Sequence, residues 1–367
     1  MGNQGMKDQH LRCIPIALPT AASIIAIAVT ATLSAIPTSA FACATCGCSL
    51  NADAAMGYSS ASGWRINLEY DFIDQDELRS GTHAVTAAQV ALINNNGGSQ
   101  EVEHQTINRY TNLGISYRPN PDWNINLLIP YISRSHSTYS NATTDELGPS
   151  DLSFAQANGI GDIKLIGNYQ GILPTHNLGF QLGLKLPTGN YGGQNVVTNA
   201  TVGRNPVFFT SGPNAVADQA LDTSLNPGTG TTDGIVGMYY FQAISQNFDA
   251  YGSGQWQFAV HENLDQVNAD YRPGNLATVS FGVRYEADPR WVPQFQMNIT
   301  RKGADGGALA DTTDTAGTVV YLSPGVTVQL EHNLHFYGFV QVPVYSNLSG
   351  YQLFPHWTAS AGLSYHF

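Results

Sequence analysis

The 367-residue chain is short of charge, short of cysteine and, after residue 36, short of any long apolar run. Charged residues make up 11%, too few for the solvated surface of an ordinary soluble protein. Lys and Arg together number 15 against 27 Asp and Glu, and the net charge of -12 excludes a nucleic-acid partner held by backbone phosphates. The four cysteines all precede residue 50, so no disulfide framework can staple the body of the chain. No stretch after residue 36 approaches 18 apolar residues, which excludes a helix-spanning membrane protein there. What is present instead is glycine, 37 residues of it, a mean hydropathy of -0.14, and a period of two.

The alternation is clearest from Trp64 to Phe72. Trp64, Ile66, Leu68, Tyr70 and Phe72 share one face, and Arg65, Asn67, Glu69 and Asp71 share the other. A strand separates those sets and a helix cannot. Comparable segments recur at 107–118, 122–133, 159–171, 177–187, 234–244, 247–261, 275–286, 290–301, 317–330, 333–345 and 356–367, which with 63–73 makes twelve. The gaps between them alternate between short turns such as Pro119-Asn120-Pro121, Ser245-Gln246 and Glu331-His332 and long loops such as 74–106, 134–158 and 188–233. An even strand number with alternating short and long connections is the pattern of an all-β, membrane-spanning, antiparallel up-and-down barrel of the bacterial outer membrane. Ten residues at about 3.3 Å each, tilted by about 40°, rise roughly 25 Å, the height of its apolar band. Trp64, Trp123 and Trp291 begin strands in one direction, and Tyr117, Tyr169 and Tyr285 end strands in the other, so all six fall at one interface, where an aromatic girdle belongs. With short turns on the inside, both chain ends are expected in the periplasm.

The start of the chain reads as a secretory signal over 1–42: Lys7 and Arg12, an apolar run from Ile14 to Ile36, then Ala40-Phe41-Ala42. Cys43, Cys46 and Cys48 follow at once. Three thiols within six residues suit a soft metal ion such as copper or zinc, one disulfide with a spare thiol, or lipidation of Cys43. Residues 43–62 precede the first strand, and are read either as a plug for a narrow lumen or as a periplasmic tail, with the barrel at 63–367.

Several short stretches resemble the outer-membrane transporters grouped as the "meta-pathway of phenol degradation" family, barrels akin to the fatty-acid transporters. They are Gly159-Ile160-Gly161-Asp162, Leu186-Pro187-Thr188-Gly189, Asn226-Pro227-Gly228-Thr229-Gly230, Tyr271-Arg272-Pro273-Gly274, Ser323-Pro324-Gly325, Pro343-Val344-Tyr345 and Ser364-Tyr365-His366-Phe367. The resemblance implies a barrel that carries small hydrophobic or aromatic molecules. The terminal Phe367, with Tyr365 and Leu363 before it, looks like the signal read by the barrel-assembly machinery.

By register, Tyr321, Tyr337, Phe339 and Tyr345 are expected to face the lumen with Arg284 and Lys185, where aromatic and charged groups would meet a solute. Pro324 and Pro343 fall on adjacent strands of a structure with no free edge to hide them, and a lateral opening there is one reading; strand ends or bulges are the other. The function expected is a passive channel in contact with outer-membrane lipid and not an enzyme. Two alternatives stand beside it. One is a scaffold whose cysteine segment binds a metal or joins a redox partner. The other is an outer-membrane hydrolase built on His136, Ser140 and Asn141, although these lie in a loop rather than on a rigid wall.

Overall fold

The computed structural model describes residues 62–367. The segment 1–42 read as a secretory signal, Cys43, Cys46, Cys48 and all but the last residue of the segment read as a plug or tail lie outside the described residues. The wall strands are β1 Gly63–Gly81, β2 Glu103–Asn120, β3 Trp123–Thr138, β4 Ser153–Ile160, β5 Ile163–Tyr169, β6 Leu178–Leu186, β7 Thr231–Ala243, β8 Phe248–Glu262, β9 Leu276–Tyr285, β10 Trp291–Lys302, β11 Gly317–Glu331 and β12 Leu334–His366.

Every pairing between them is antiparallel, and β5 pairs with β3, which brings the sheet back on itself and closes it as a barrel of eleven strand elements. The last element, β12, is 33 residues long and supplies two staves. Leu334–Leu348 pairs with β11, and Gln352–His366 pairs with β1. Between them Gly350, at φ +53°, turns the chain, and a Cβ on Gly362 would lie 2.4 Å from the Tyr337 ring, so the two arms run side by side. Counted as staves, with β4 and β5 stacked end to end as one, the wall has twelve.

The polarity of the wall is inverted relative to a soluble protein. Trp64, Leu68 and Tyr70 are 50%, 50% and 44% exposed, whereas Glu69 and Asp71, which alternate with them, are each 3% exposed. Apolar side chains outside and polar ones inside suit a wall surrounded by hydrocarbon, in which each backbone group must be paired within the sheet. The expected girdle forms: Trp64 stacks on Tyr117 with ring centroids 4.4 Å apart, and Trp123 packs on Tyr169 at 4.7 Å. These pairs, with Tyr285 and Trp291, ring the end of the barrel that carries the short turns. No helix among the described residues is long and apolar enough to cross a membrane.

Inside, the lumenal side chains hydrogen-bond to one another across the seam between first and last strands. Tyr337 Oη donates to Glu69 Oε2 at 2.6 Å, and Asn67 Nδ2 donates to Tyr337 Oη at 2.9 Å. Asp71 accepts from Ser360 Oγ at 2.5 Å and from Asn112 Nδ2 at 2.8 Å. Further round, Asn298 Nδ2 donates to Ser323 Oγ and Gln341 Oε1, and Gln294 Nε2 donates to Thr327 Oγ1.

Candidate functional site

One stave of the wall is broken. The lower half of β3, Trp123–Leu128, pairs with β5, but its upper half, Tyr131–Thr138, pairs with β4. β5 continues the sheet to β6, whereas the other neighbour of β4 is the short strand Phe209–Ser211. Beyond Leu186 and Ile163 the wall therefore parts, and the chain from 187 to 230 occupies the space. The sequence expectation of one strand over 159–171 is corrected here: Gly161 and Asp162 interrupt it, with Gly161 N donating to Pro130 O at 2.8 Å across the break.

The reason for the break is local. A Cβ on Gly161 would lie 2.8 Å from Ile132 Cδ1 and 3.1 Å from Pro227 O, so the inserted chain rests directly on this glycine. The inner face of β4 offers only small side chains, Ser153, Ala155 and Ala157, and the two alanines leave room for Phe209, Leu221 and Leu225, all buried against them. The loop thus carries its own apolar core and packs it inward onto the wall.

Three of the short stretches that carry the family resemblance converge at this point. Asp162 accepts hydrogen bonds from Gly189 N at 3.1 Å, Thr229 N at 2.9 Å and Thr229 Oγ1 at 3.0 Å, and pairs with Lys185 Nζ at 3.1 Å. Lys185 also pairs with Asp233 at 3.1 Å and donates to Thr231 Oγ1 and Thr229 Oγ1. Thr188 Oγ1 donates to Gly161 O at 2.7 Å. A buried ammonium between two carboxylates is stable only when its donors and acceptors are met, and here the loop backbone and hydroxyls meet them. Nearby, Arg134 reaches up from β3 to the carbonyl of Leu225 and to Asn108 Oδ1 at 2.5 Å. A second carboxylate, Asp305, gathers the Tyr271-Arg272-Pro273-Gly274 stretch: it accepts from Tyr271 Oη at 3.0 Å, Gly274 N at 2.7 Å and Lys302 Nζ at 2.9 Å.

The capping loops are rich in buried acid. Burial pushes Asp222 well above the usual carboxylate range, partly offset by hydrogen bonds from Ser224, with Glu101 and Asp305 near enough to add to the rise. Burial, followed by the neighbouring Asp311, raises Asp314 to about 6.

The remaining candidate residues separate. Tyr321, Tyr337 and Phe339 are buried, at 3% exposure or less. Tyr345 is 47% exposed and faces outward, a correction of its expected lumenal place. Between Val320 and Tyr321 the register shifts, pairing Tyr321 with Pro343 and Val320 with Tyr345, and one extra residue turns the following side chains to the other face. Pro343 sits at that bulge. Pro324 lies opposite Phe295 in unbroken register with β10. Arg284 pairs with Glu286 at 2.8 Å. His136 meets Thr106 Oγ1 at 2.8 Å and Glu101 at 3.8 Å, and Ser140 Oγ donates to Asn214 Oδ1, so the histidine and serine form no nucleophile and base pair.

No protein-family profile matches the sequence, and no characterised protein is detectably similar to it in sequence. Among solved structures, the chain is similar to an outer membrane channel from Pseudomonas putida F1. The two are 14% identical, with 84% of this chain and 96% of that one covered, at a TM-score of 0.57. That likeness shows the fold. The β domain of a Bordetella autotransporter (11% identity, 84% and 100% covered, TM-score 0.43) and a toluene transporter from Ralstonia pickettii (11%, 84% and 90%, 0.40) share the outline of a barrel and carry no argument here. Fold and inverted polarity together define a transmembrane β-barrel of the outer-membrane type.

Proposed function

We propose that the protein is an outer-membrane channel for passive passage of small hydrophobic or aromatic compounds, gated by the chain from 187 to 230. The observation that carries the reading is the wall break filled by an inward-packed apolar loop. The loop is held by the buried charge cluster, a small apolar contact, a few side-chain hydrogen bonds and the three-residue strand Phe209–Ser211, and it can leave more readily than a wall strand, whose backbone is paired along its whole length. When it leaves, the opening lies between β4 and β6, on the side of the wall, next to a lumen bearing Tyr321, Tyr337 and Phe339. An apolar solute could then pass into the bilayer without crossing water. The short-turn end, with Phe367, would face the periplasm, and Phe367 would engage the assembly machinery.

The test is a tether. In an Ala157→Cys, Leu225→Cys variant, oxidation joins the loop to the inner face of β4. Efflux of a phenol-like solute from liposomes should stop on oxidation and return on reduction. Equal efflux in both states would sink the proposal.

A further inference from the structure

At the long-loop end a cavity of about 300 Å³ opens between the 139–151 loop and the short helix Pro213–Val216, part of the segment that fills the wall break. Glu101, Glu146 and Asp151 line it, as does Tyr139, while no Lys, Arg or His does. Acidity alone would not make this a site. The second observation is Asn214, which also lines the cavity, is 6% exposed, and has its Nδ2 without a hydrogen-bond partner. Its other polar atoms are committed: Oδ1 accepts from Ser140 Oγ at 2.6 Å, and its backbone N donates to Ser153 Oγ at 3.0 Å. Ser140 is held at φ +55°, a conformation that costs a non-glycine residue energy. Leaving a buried amide N–H unpaired is also unfavourable, and a ligand oxygen would relieve it.

The charge of the lining decides the remainder of the ligand. Backbone and hydroxyl hydrogen bonds from Thr143, at 2.8 and 2.9 Å, hold the Glu146 carboxyl below its ordinary range and so keep it ionised. Carboxylates beside an aromatic ring attract an organic ammonium group. The volume sits at the lower end of the roughly 300–1,000 Å³ of small-molecule pockets, enough for a single ring. Among the described residues no group of acidic, histidine or cysteine side chains is arranged to hold a metal ion.

We propose that this cavity binds a small hydroxylated amine, such as an amino sugar or amino alcohol. Its ammonium group faces the three carboxylates and Tyr139, and one of its oxygens accepts from Asn214 Nδ2. Isothermal titration of the full-length protein in detergent, with glucosamine, glucose and calcium chloride as separate probes, tests it. Glucosamine should bind saturably and at least about tenfold more tightly than glucose, since only it offers the ammonium. Asn214→Ala should weaken glucosamine by about fivefold through the lost hydrogen bond. Glu146→Gln, on an exposed loop where the cavity walls stay in place, should weaken it by a similar factor while glucose is unchanged. Retarded migration on unheated gels confirms that each variant is folded. Silence with glucosamine, equal binding of glucose, binding of calcium alone, or full binding by both folded variants would each overturn the assignment.

Discussion

At the scale of single residues, Asp162 and Lys185 tie the inserted loop to the wall. Removing one member of a buried, hydrogen-bonded ion pair costs about 3–5 kcal/mol, because the other charge is left uncompensated. Lys185→Met leaves both Asp162 and Asp233 without a counter-ion and should therefore release the loop by more than Asp162→Ala, which leaves Lys185 paired with Asp233. Planar-bilayer recordings should show frequent openings in the first variant and fewer in the second; identical traces would detach the cluster from gating. Asp314 supplies a pH dependence. Its folded-state value of about 6 lies above the ordinary 3.8, so its contribution to stability is fully present below 3.8 and lost as pH rises through about 6. Amide exchange in residues 311–315, corrected for intrinsic rates, should be slower at pH 5 than at pH 7.5, and Asp314→Asn should flatten the difference. Lys185 shows what the sequence could and could not say. Alternation placed it on an inward face, yet its role as the centre of a latch depends on Thr229, Thr231 and Asp233, more than forty residues away. No local pattern announces that meeting, although all its members sit in or beside the short motifs.

At the scale of elements, the strands were legible wherever one face met lipid and the other did not, because the side-chain period is fixed at two. Two places escaped. The bulge beside Tyr321 reversed the faces beyond it, and Tyr345 went with them. The stave read as 159–171 proved to be two strands, since alternation persists on both sides of Gly161 and only the partner changes. The long segment 188–233 read as a loop, but nothing in its composition revealed that most of it folds inward onto Ala155 and Ala157. The contact that permits this can be tested. A Cβ on Gly189 would lie 2.7 Å from Gly228 N, backbone against backbone, so Gly189→Ala must push the two apart. Overpacking of this kind costs about 1–3 kcal/mol. Limited proteolysis should cut the variant within 187–230 faster than the wild type, with the barrel fragments still resistant to heat in detergent.

At the scale of the whole molecule, the closure of the sheet sets how the protein can be made. The seam between β1 and the second arm of β12 joins distant residues such as Asp71 and Ser360, 289 positions apart along the chain. If Phe367 is the signal for assembly, Phe367→Ala should lower the amount of folded barrel in cells while leaving refolding into detergent micelles unchanged; equal losses in both would place its effect in stability instead. The seam also has a consequence in time. The first strand to leave the ribosome pairs on one edge with β2 but finds the partner of its other edge only after residues 352–366 have been added, so until then two strand edges stay unpaired and ready to join the wrong chain. Contacts of such long range form slowly. If the chain crosses to an outer membrane, that passage is its most hazardous interval, and a holding chaperone there would protect it more than any added stability of the finished barrel.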